Sequence, residues 1–442
     1  MLKKYIIIIL LCLPLSALFA QQQNMQRARE LLEFTLAGQG DSVYVQLNAE
    51  VQKAVPAAAF SQTLQQLEAQ FGKYQSHGDW QTDIAGNIIL YYTDVQFEKY
   101  ALRFITAFDA DGKANTIRFA PVPDPVPTST IKMDETKMEE KNIEVVCRKF
   151  KLPGILTLPK GVNHVPVAIL VHGSGPQDRD ETVGPNKPFR DLAWGLAERG
   201  IASIRYDKRT KVYGAESAPD GKITYDEETV DDALAAVELA KTIKPLDAGR
   251  IYIIGHSLGA MLAPRMAEKS KSLAGIIMMA GNARPLEDLL PEQIAYISSL
   301  QGSSPEVETQ IEELKMQVAN VKELGTDNFD ENIPLPMNIP RSYWEFSNTY
   351  KQVEVAKKLS LPILILQGGR DYQVTMEDFN LWRSELSLNS NAALKSYPKL
   401  NHLFHEGSGK ATPSEYNKEA NMPGYVLDDI AGWIKDKKSI TQ

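Results

Sequence analysis

The sequence predicts an α/β protein in two parts: a mostly parallel sheet with helices on both faces and a helical cap, preceded by a small α+β domain. Three observations predict it. From about residue 140, short apolar runs alternate with amphipathic helical patterns, as strands covered by helices do. Ahead of residue 120, helical periodicity comes first and a period of two follows. And one apolar run, Ile251-Tyr252-Ile253-Ile254, stops at Gly255-His256-Ser257-Leu258-Gly259 and passes directly into a helical pattern.

The chain of 442 residues is long enough for two domains. Its first 20 residues stand apart. Lys3 and Lys4 precede an apolar run from Ile6 to Leu13, then Pro14 and the small-residue site Ser16-Ala17-Leu18-Phe19-Ala20. That is the pattern of a secretory signal peptide, and the run is short for a membrane span. Cleavage after Ala20 sends the mature chain to the periplasm or outside the cell, with no stable membrane insertion. It also leaves 46 basic against 56 acidic side chains, a net −10, which argues against nucleic acid as a partner. Only Cys147 then remains, so an intramolecular disulfide is impossible and the core alone must hold the fold.

Residues 21–120 read as the small α+β domain. Met25 to Leu36 is a helix, and Phe60, Leu64, Leu67 and Phe71 recur at helical spacing. Tyr100, Leu102, Phe104, Thr106 and Phe108 then alternate, Asp111-Gly112 turns, and Thr116 to Phe119 returns as a strand. No chemical motif falls here, so the domain reads as scaffold or interface. Pro121-Val122-Pro123-Asp124-Pro125-Val126-Pro127 opens a stiff linker over 121–139.

Residues 140–442 carry the larger domain. Ile143–Phe150 and Gly154–Leu158 read as opening strands turning around Leu152-Pro153. Val167–Val171 is a short buried strand ending in His172-Gly173-Ser174-Gly175. Phe189, Leu192, Ala193, Leu196 and Ala197 share one helical face, which Gly200 ends. Ile201–Tyr206 is the next strand, and Thr224-x-x-Glu227 opens a helix as a capping box. Pro264 should kink the helix after Ser257. Ile276–Met279 and Ile363–Leu366 complete the buried strands. Residues 282–345 interrupt the alternation. Ser304-Pro305 starts a helix, Gly325 ends it, and Tyr343-Trp344-x-Phe346 follows three prolines, reading as a cap whose aromatics pack against one another.

Acyl transfer through a hydroxyl needs a nucleophile, a base, a group to orient the base, and N–H donors for the developing oxyanion. Gly255-x-Ser257-x-Gly259 after a buried strand fits the nucleophile-elbow pattern, with glycines where side chains would collide. The base belongs on a loop after the last strand. Of six histidines, His402 sits there, after Leu394–Tyr397, with His405 as its competitor. The orienting acid should end an earlier strand. Asp371 does so after Gln367-Gly368-Gly369-Arg370, with Asp378 as the fallback. Leu258 N–H and Ser174 N–H are the oxyanion donors this order assigns. Asp207, Lys208 and Arg209 end a strand on the same sheet edge; they read as a solvated ion-pair group or as a cluster with Asp178, Arg179 or Asp180 shaping the oxyanion loop.

Oxyanion loop, serine, aspartate and histidine stand in the order of the α/β hydrolases. Residues 140 to 437 resemble that family. Arg205-Tyr206-Asp207-Lys208-Arg209 and Gln367-Gly368-Gly369-Arg370-Asp371-Tyr372-Gln373-Val374 resemble secreted bacterial carboxylesterases grouped with prolyl-oligopeptidase-like proteins, and residues 21–120 resemble a small domain of unknown function found ahead of such hydrolases. The resemblance implies serine hydrolysis without metal and does not fix the substrate; the leading reading is a carboxylesterase acting on a small-molecule ester with no cofactor, and short peptides are the alternative substrate. Oligomeric state is not legible.

Overall fold

The computed structural model describes residues 15–85, 88–109, 111–122, 133–301 and 305–436. Residues 1–14 of the expected leader and residues 123–132 of the expected linker lie outside the described residues. The chain divides into two compact units, 1–125 and 126–442.

In the first unit, helices Leu15–Leu36, Gly40–Tyr44, Ala49–Ala54 and Ala57–Phe71 precede five strands: β1 (Tyr74–His77), β2 (Gln81–Ala85), β3 (Ile88–Phe97), β4 (Ala101–Phe108) and β5 (Ala114–Pro121). All pairings in this sheet are antiparallel, in the order β1-β3-β4-β5, with β2 also on β3. The alternation in β4 sends Leu102 and Phe104 into a core with Leu31, Leu32 and Phe97. Asn48 caps its helix by accepting from Val51 N–H at 3.0 Å.

The second unit is built on eight strands: β6 (Met138–Cys147), β7 (Phe150–Pro159), β8 (Val165–Val171), β9 (Ala202–Tyr206), β10 (Leu246–His256), β11 (Leu273–Met279), β12 (Ile363–Gly368) and β13 (Ala392–Tyr397). Their order is β13-β12-β11-β10-β8-β9-β7-β6. From β13 to β9 the neighbours are parallel; β7 and β6 are antiparallel additions. Residues of β8, β10, β11 and β12 are buried on both faces, divided between two apolar cores. Fully burying each such Ile, Leu or Val contributes about 1.5–3 kcal/mol.

One local expectation is corrected. The first hairpin turns at Arg148-Lys149, with Arg148 at φ 55°, and not at Leu152-Pro153. Pro153 lies inside β7 opposite Glu144, where its carbonyl accepts from Asp207 N–H at 2.8 Å. Pairing of β7 with β9 begins only at Gly154, so the N–H that proline lacks is not needed there.

The strand order reverses at β8. From it the chain goes to β9 on one side, then returns as β10 on the other. The C-terminal ends of β8 and β10 therefore flank the crevice where open α/β sheets bind ligands. Helices Leu286–Gln301, Pro305–Lys322, Arg341–Thr349 and Gln352–Lys357 fill the insertion between β11 and β12. Pro264 lies within helix Leu258–Lys269, which continues through it.

Candidate active site

Ser257 sits between the end of β10 and helix Leu258–Lys269, at φ 51° and ψ −115°. This conformation costs on the order of 1–3 kcal/mol for a non-glycine residue, so its surroundings must impose it. They do. Ser257 N–H donates to Met279 O at 2.9 Å, and Ser257 O accepts from Met261 N–H at 3.0 Å. A Cβ at Gly255 would collide with the Gly259 carbonyl, and one at Gly259 with the Val171 carbonyl. Both elbow glycines are therefore required by backbone crossing backbone.

His402 lies on the loop after β13, and Asp371 on the turn after β12. His402 Nδ1 is 2.7 Å from Asp371 Oδ2. Gln367 Nε2 donates to the same oxygen at 3.1 Å; Oδ1 accepts from Gln373 and Val374 N–H at 2.8 and 3.0 Å. The carboxylate side chain is fully buried and saturated with donors, which holds it in one orientation. Gly368 makes room for the His402 loop, since a Cβ there would meet the Leu400 and Asn401 carbonyls at 2.6 Å.

The alternatives are placed elsewhere. Asp378 is buried and accepts from Ala283 and Arg284 N–H at 3.0 Å and from the Arg284 guanidinium, pinning the segment after β11. His405 is buried with Nε2 unpartnered among the described residues, and burial pushes its pKa down to about 4. The structure joins neither to the Asp371–His402 pair by a hydrogen bond.

Ser257, His402, Gly173 and Ser174 all line one cavity of about 840 Å³. Gly173 stands hard against the serine: a Cβ on it would lie 3.2 Å from Ser257 Cβ. Gly173 N–H is already committed, donating to Glu181 Oε1 at 2.6 Å. Ser174 N–H and Leu258 N–H have no acceptor among the described residues. Leu258 opens its helix, where N–H groups lack intrahelical partners. Cap residues, including Leu286, Leu289, Ile339, Tyr343 and Trp344, form an apolar wall of the same cavity. The cap aromatics thus do two things: Tyr343 packs edge-on to Tyr225 at 4.5 Å and also faces the cavity.

Beneath the site lies a set of paired charges, some buried and some half-buried. Lys208 donates to Gly173 O at 2.8 Å and pairs with Glu228 at 2.6 Å. Arg179 pairs with Asp207, and Arg205 with Asp180. Arg209 pairs with Asp232 and not with the oxyanion loop. The solvated reading of this segment is corrected: Lys208 and Arg209 are 2% and 1% exposed. Sequence reasoning missed the roles of Glu181 and His256. Their side chains approach at 3.0 Å, a charge contact off the line of a well-aligned hydrogen bond. Burial alone would raise the Glu181 pKa, but His256 and the Gly173 N–H together hold it below the usual value. Burial alone would lower that of His256, but the Glu181 carboxylate and the His402 carbonyl raise it. Both directions favour the carboxylate–imidazolium form of the pair. The one sequence signal was the acidic run Asp178-Arg179-Asp180-Glu181 just past the glycine loop.

Comparison with known proteins agrees with this fold. Residues 186–407 match the family described as serine aminopeptidase, S33, and residues 28–116 a family described as a protein of unknown function, DUF3887. Esterase EstD of Thermotoga maritima is 36% identical over 387 residues, covering 87% of this chain and 89% of that protein. Among solved structures, Est1E from Butyrivibrio proteoclasticus aligns at 18% identity and TM-score 0.42, over 67% of this chain and 96% of its own. The Pyrococcus furiosus esterase PF2001 aligns at 17% and 0.45, over 70% and 96%. The chain belongs to the S33 family of α/β hydrolases, and it is a serine ester hydrolase.

Proposed function

We propose that the protein is a secreted carboxylesterase that cleaves small or medium acyl esters through an acyl-enzyme. Ser257 is the nucleophile, His402 the general base and then acid, and Asp371 the group that holds the imidazole tautomer and stabilises its cation. Ser174 and Leu258 N–H receive the oxyanion. The observation that carries this reading is the 2.7 Å His402–Asp371 bond at a cavity whose wall also holds Ser257 in a left-handed elbow. With Nδ1 bound to the carboxylate, Nε2 is the nitrogen left to take the serine proton. The leaving alcohol then takes that proton from His402, and water repeats the sequence to release the acid.

The apolar cap wall suits an acyl chain. Two carboxylates also line the cavity, and both are engaged: Glu181 by Gly173 and His256, Glu228 by Lys208 and Tyr343. An aminopeptidase needs a carboxylate for the substrate ammonium, and these two are spent inside the protein. This disfavours peptide cleavage despite the family's description. Residues 1–20 serve as the secretory leader, 21–120 as a scaffold domain, 121–139 as the linker, and 140–442 with its cap as the hydrolase. The test is labelling by a fluorophosphonate probe, with Ser257→Ala as control, followed by p-nitrophenyl esters of increasing length beside aminoacyl-nitroanilides. Labelling that survives in Ser257→Ala would sink the assignment; nitroanilide turnover above ester turnover would favour the peptidase.

A further inference from the structure

We infer that Lys208, Glu181 and His256 are positioning residues that hold the oxyanion loop and the base loop in one register; the inference rests on the serine-esterase reading above. None of the three is required by the catalytic triad. All three are buried, with Lys208 and Glu181 each 2% exposed and His256 6%.

The argument begins with peptide planes. Gly173 C=O and Ser174 N–H belong to one planar trans unit, so they point in opposite directions. Lys208 Nζ grips that carbonyl at 2.8 Å from beneath. The grip turns Ser174 N–H the other way, away from Lys208. Glu181 Oε1 fixes the preceding plane by accepting Gly173 N–H at 2.6 Å. It also prevents that N–H from competing for the oxyanion. Two adjacent peptide units are thus clamped by two buried side chains.

The second clamp continues across the site. Glu181 Oε2 meets His256 Nδ1 at 3.0 Å, and His256 Nε2 lies 2.9 Å from His402 O. A carbonyl can only accept, so His256 Nε2 carries a proton and donates it to His402 O. The rings of His256 and His402 also pack 4.7 Å apart, centre to centre. The residue before the nucleophile therefore carries the backbone of the base. Glu181 itself sits at φ 53°, a conformation that local propensity does not supply for a glutamate. A run of contacts leads from Lys208 through Gly173, Glu181 and His256 to His402. A displacement of either loop is felt by the other.

The test uses the whole mature chain, with kcat and KM on a p-nitrophenyl ester normalised to probe-labelled sites, and the melting temperature alongside. Glu181→Leu and His256→Phe keep volume and remove the polar link. Each is expected to lower kcat about 10²-fold, the size of losing one oxyanion donor, with KM within about 3-fold. The double variant should fall little further, because both changes break one chain. Glu181→Gln should recover most of the loss, since the amide can accept from Gly173 and donate to a neutral His256. Lys208→Met, which breaks the loop's other clamp, should also lower kcat about 10²-fold, and it reads the same point if Glu181→Leu does not fold. Normal kcat per labelled site with a lowered melting temperature would make these residues merely structural and overturn the inference. So would losses that multiply to about 10⁴ in the double variant. If the wild type takes no label at all, the esterase reading fails instead, and the two failures are distinct.

Discussion

The two units bury different things. In the first, the polar side chains in the interior, among the described residues, are the neutral hydroxyls of Thr35, Thr93 and Thr106. In the second, Arg205, Lys208, Arg209, Asp232, Glu181, Asp371 and Asp378 are all under 9% exposed. Burying a charge is costly unless its partners are placed with care, and an apolar substitute often serves stability as well or better. A fold that needed only to be stable would resemble the first unit. The second spends stability on holding groups in fixed directions, and three of them, Glu181, Lys208 and Asp371, bind the loops after β8 and β13.

This contrast can be broken at several points. The largest effect is expected from Ser257→Ala, which should lower kcat about 10⁶-fold by analogy with other serine hydrolases. Asp371→Asn should cost about 10⁴-fold, because the amide favours the wrong imidazole tautomer while leaving the fold intact. Steady-state kinetics with circular dichroism checks both. Loss of ellipticity in either would mean that the buried charge holds the fold and not the chemistry.

Arg209→Met sharpens the comparison from the stability side. It strands Asp232, which is 1% exposed, and should destabilise the second unit by about 3–5 kcal/mol in urea titration. Arg209 does not touch the oxyanion loop, so kcat per folded molecule should hold. Acidification is expected to have the next largest effect. Burial pulls the pKa values of His172 and His405 down to about 4 from 6.5. The unfolded chain takes up these protons near pH 6.5 and the folded chain only near 4. Stability is thus highest above 6.5 and falls by up to about 3 kcal/mol per group toward pH 4. Asp191, pushed up to about 6 by burial, works the other way: its cost is present above 6 and relieved toward 3.8. Two histidines outweigh one aspartate, so chemical denaturation at pH 7 and pH 4.5 should show a net loss on acidification. Among the predictions the smallest effect is a null one. Deleting residues 21–125 should leave kcat and KM unchanged if the first unit is scaffold, and a shifted KM would give it a part in the site.

The elbow was legible because its demands are local. Gly255 and Gly259 are required by backbone meeting backbone within a few residues, and a sequence shows such steric needs directly. The α/β alternation was legible for a similar reason, since strands buried on both faces read as continuous apolar runs. The hairpin around Arg148 was misread because Pro153 looked like a turn residue, and only the late start of β7–β9 pairing makes it acceptable within a strand.

Sequence alone determined the fold class, the elbow at Ser257, and a short set of candidates for its partners. It preferred Asp371 to Asp378 and His402 to His405 by their place after strands, not by chemistry, since each pair offers the same functional group on the same stretch of chain. Tertiary structure gives them different surroundings. One carboxylate meets an imidazole at 2.7 Å, while the other is consumed by Arg284 and two backbone N–H groups. It also showed Lys208, read from sequence as part of a solvated group, to be buried, and Glu181 and His256, to which the sequence assigned no role, to be buried with it. The physical reason is that burial and direction are properties of packing between distant segments, whereas periodicity and steric exclusion are written along the chain itself.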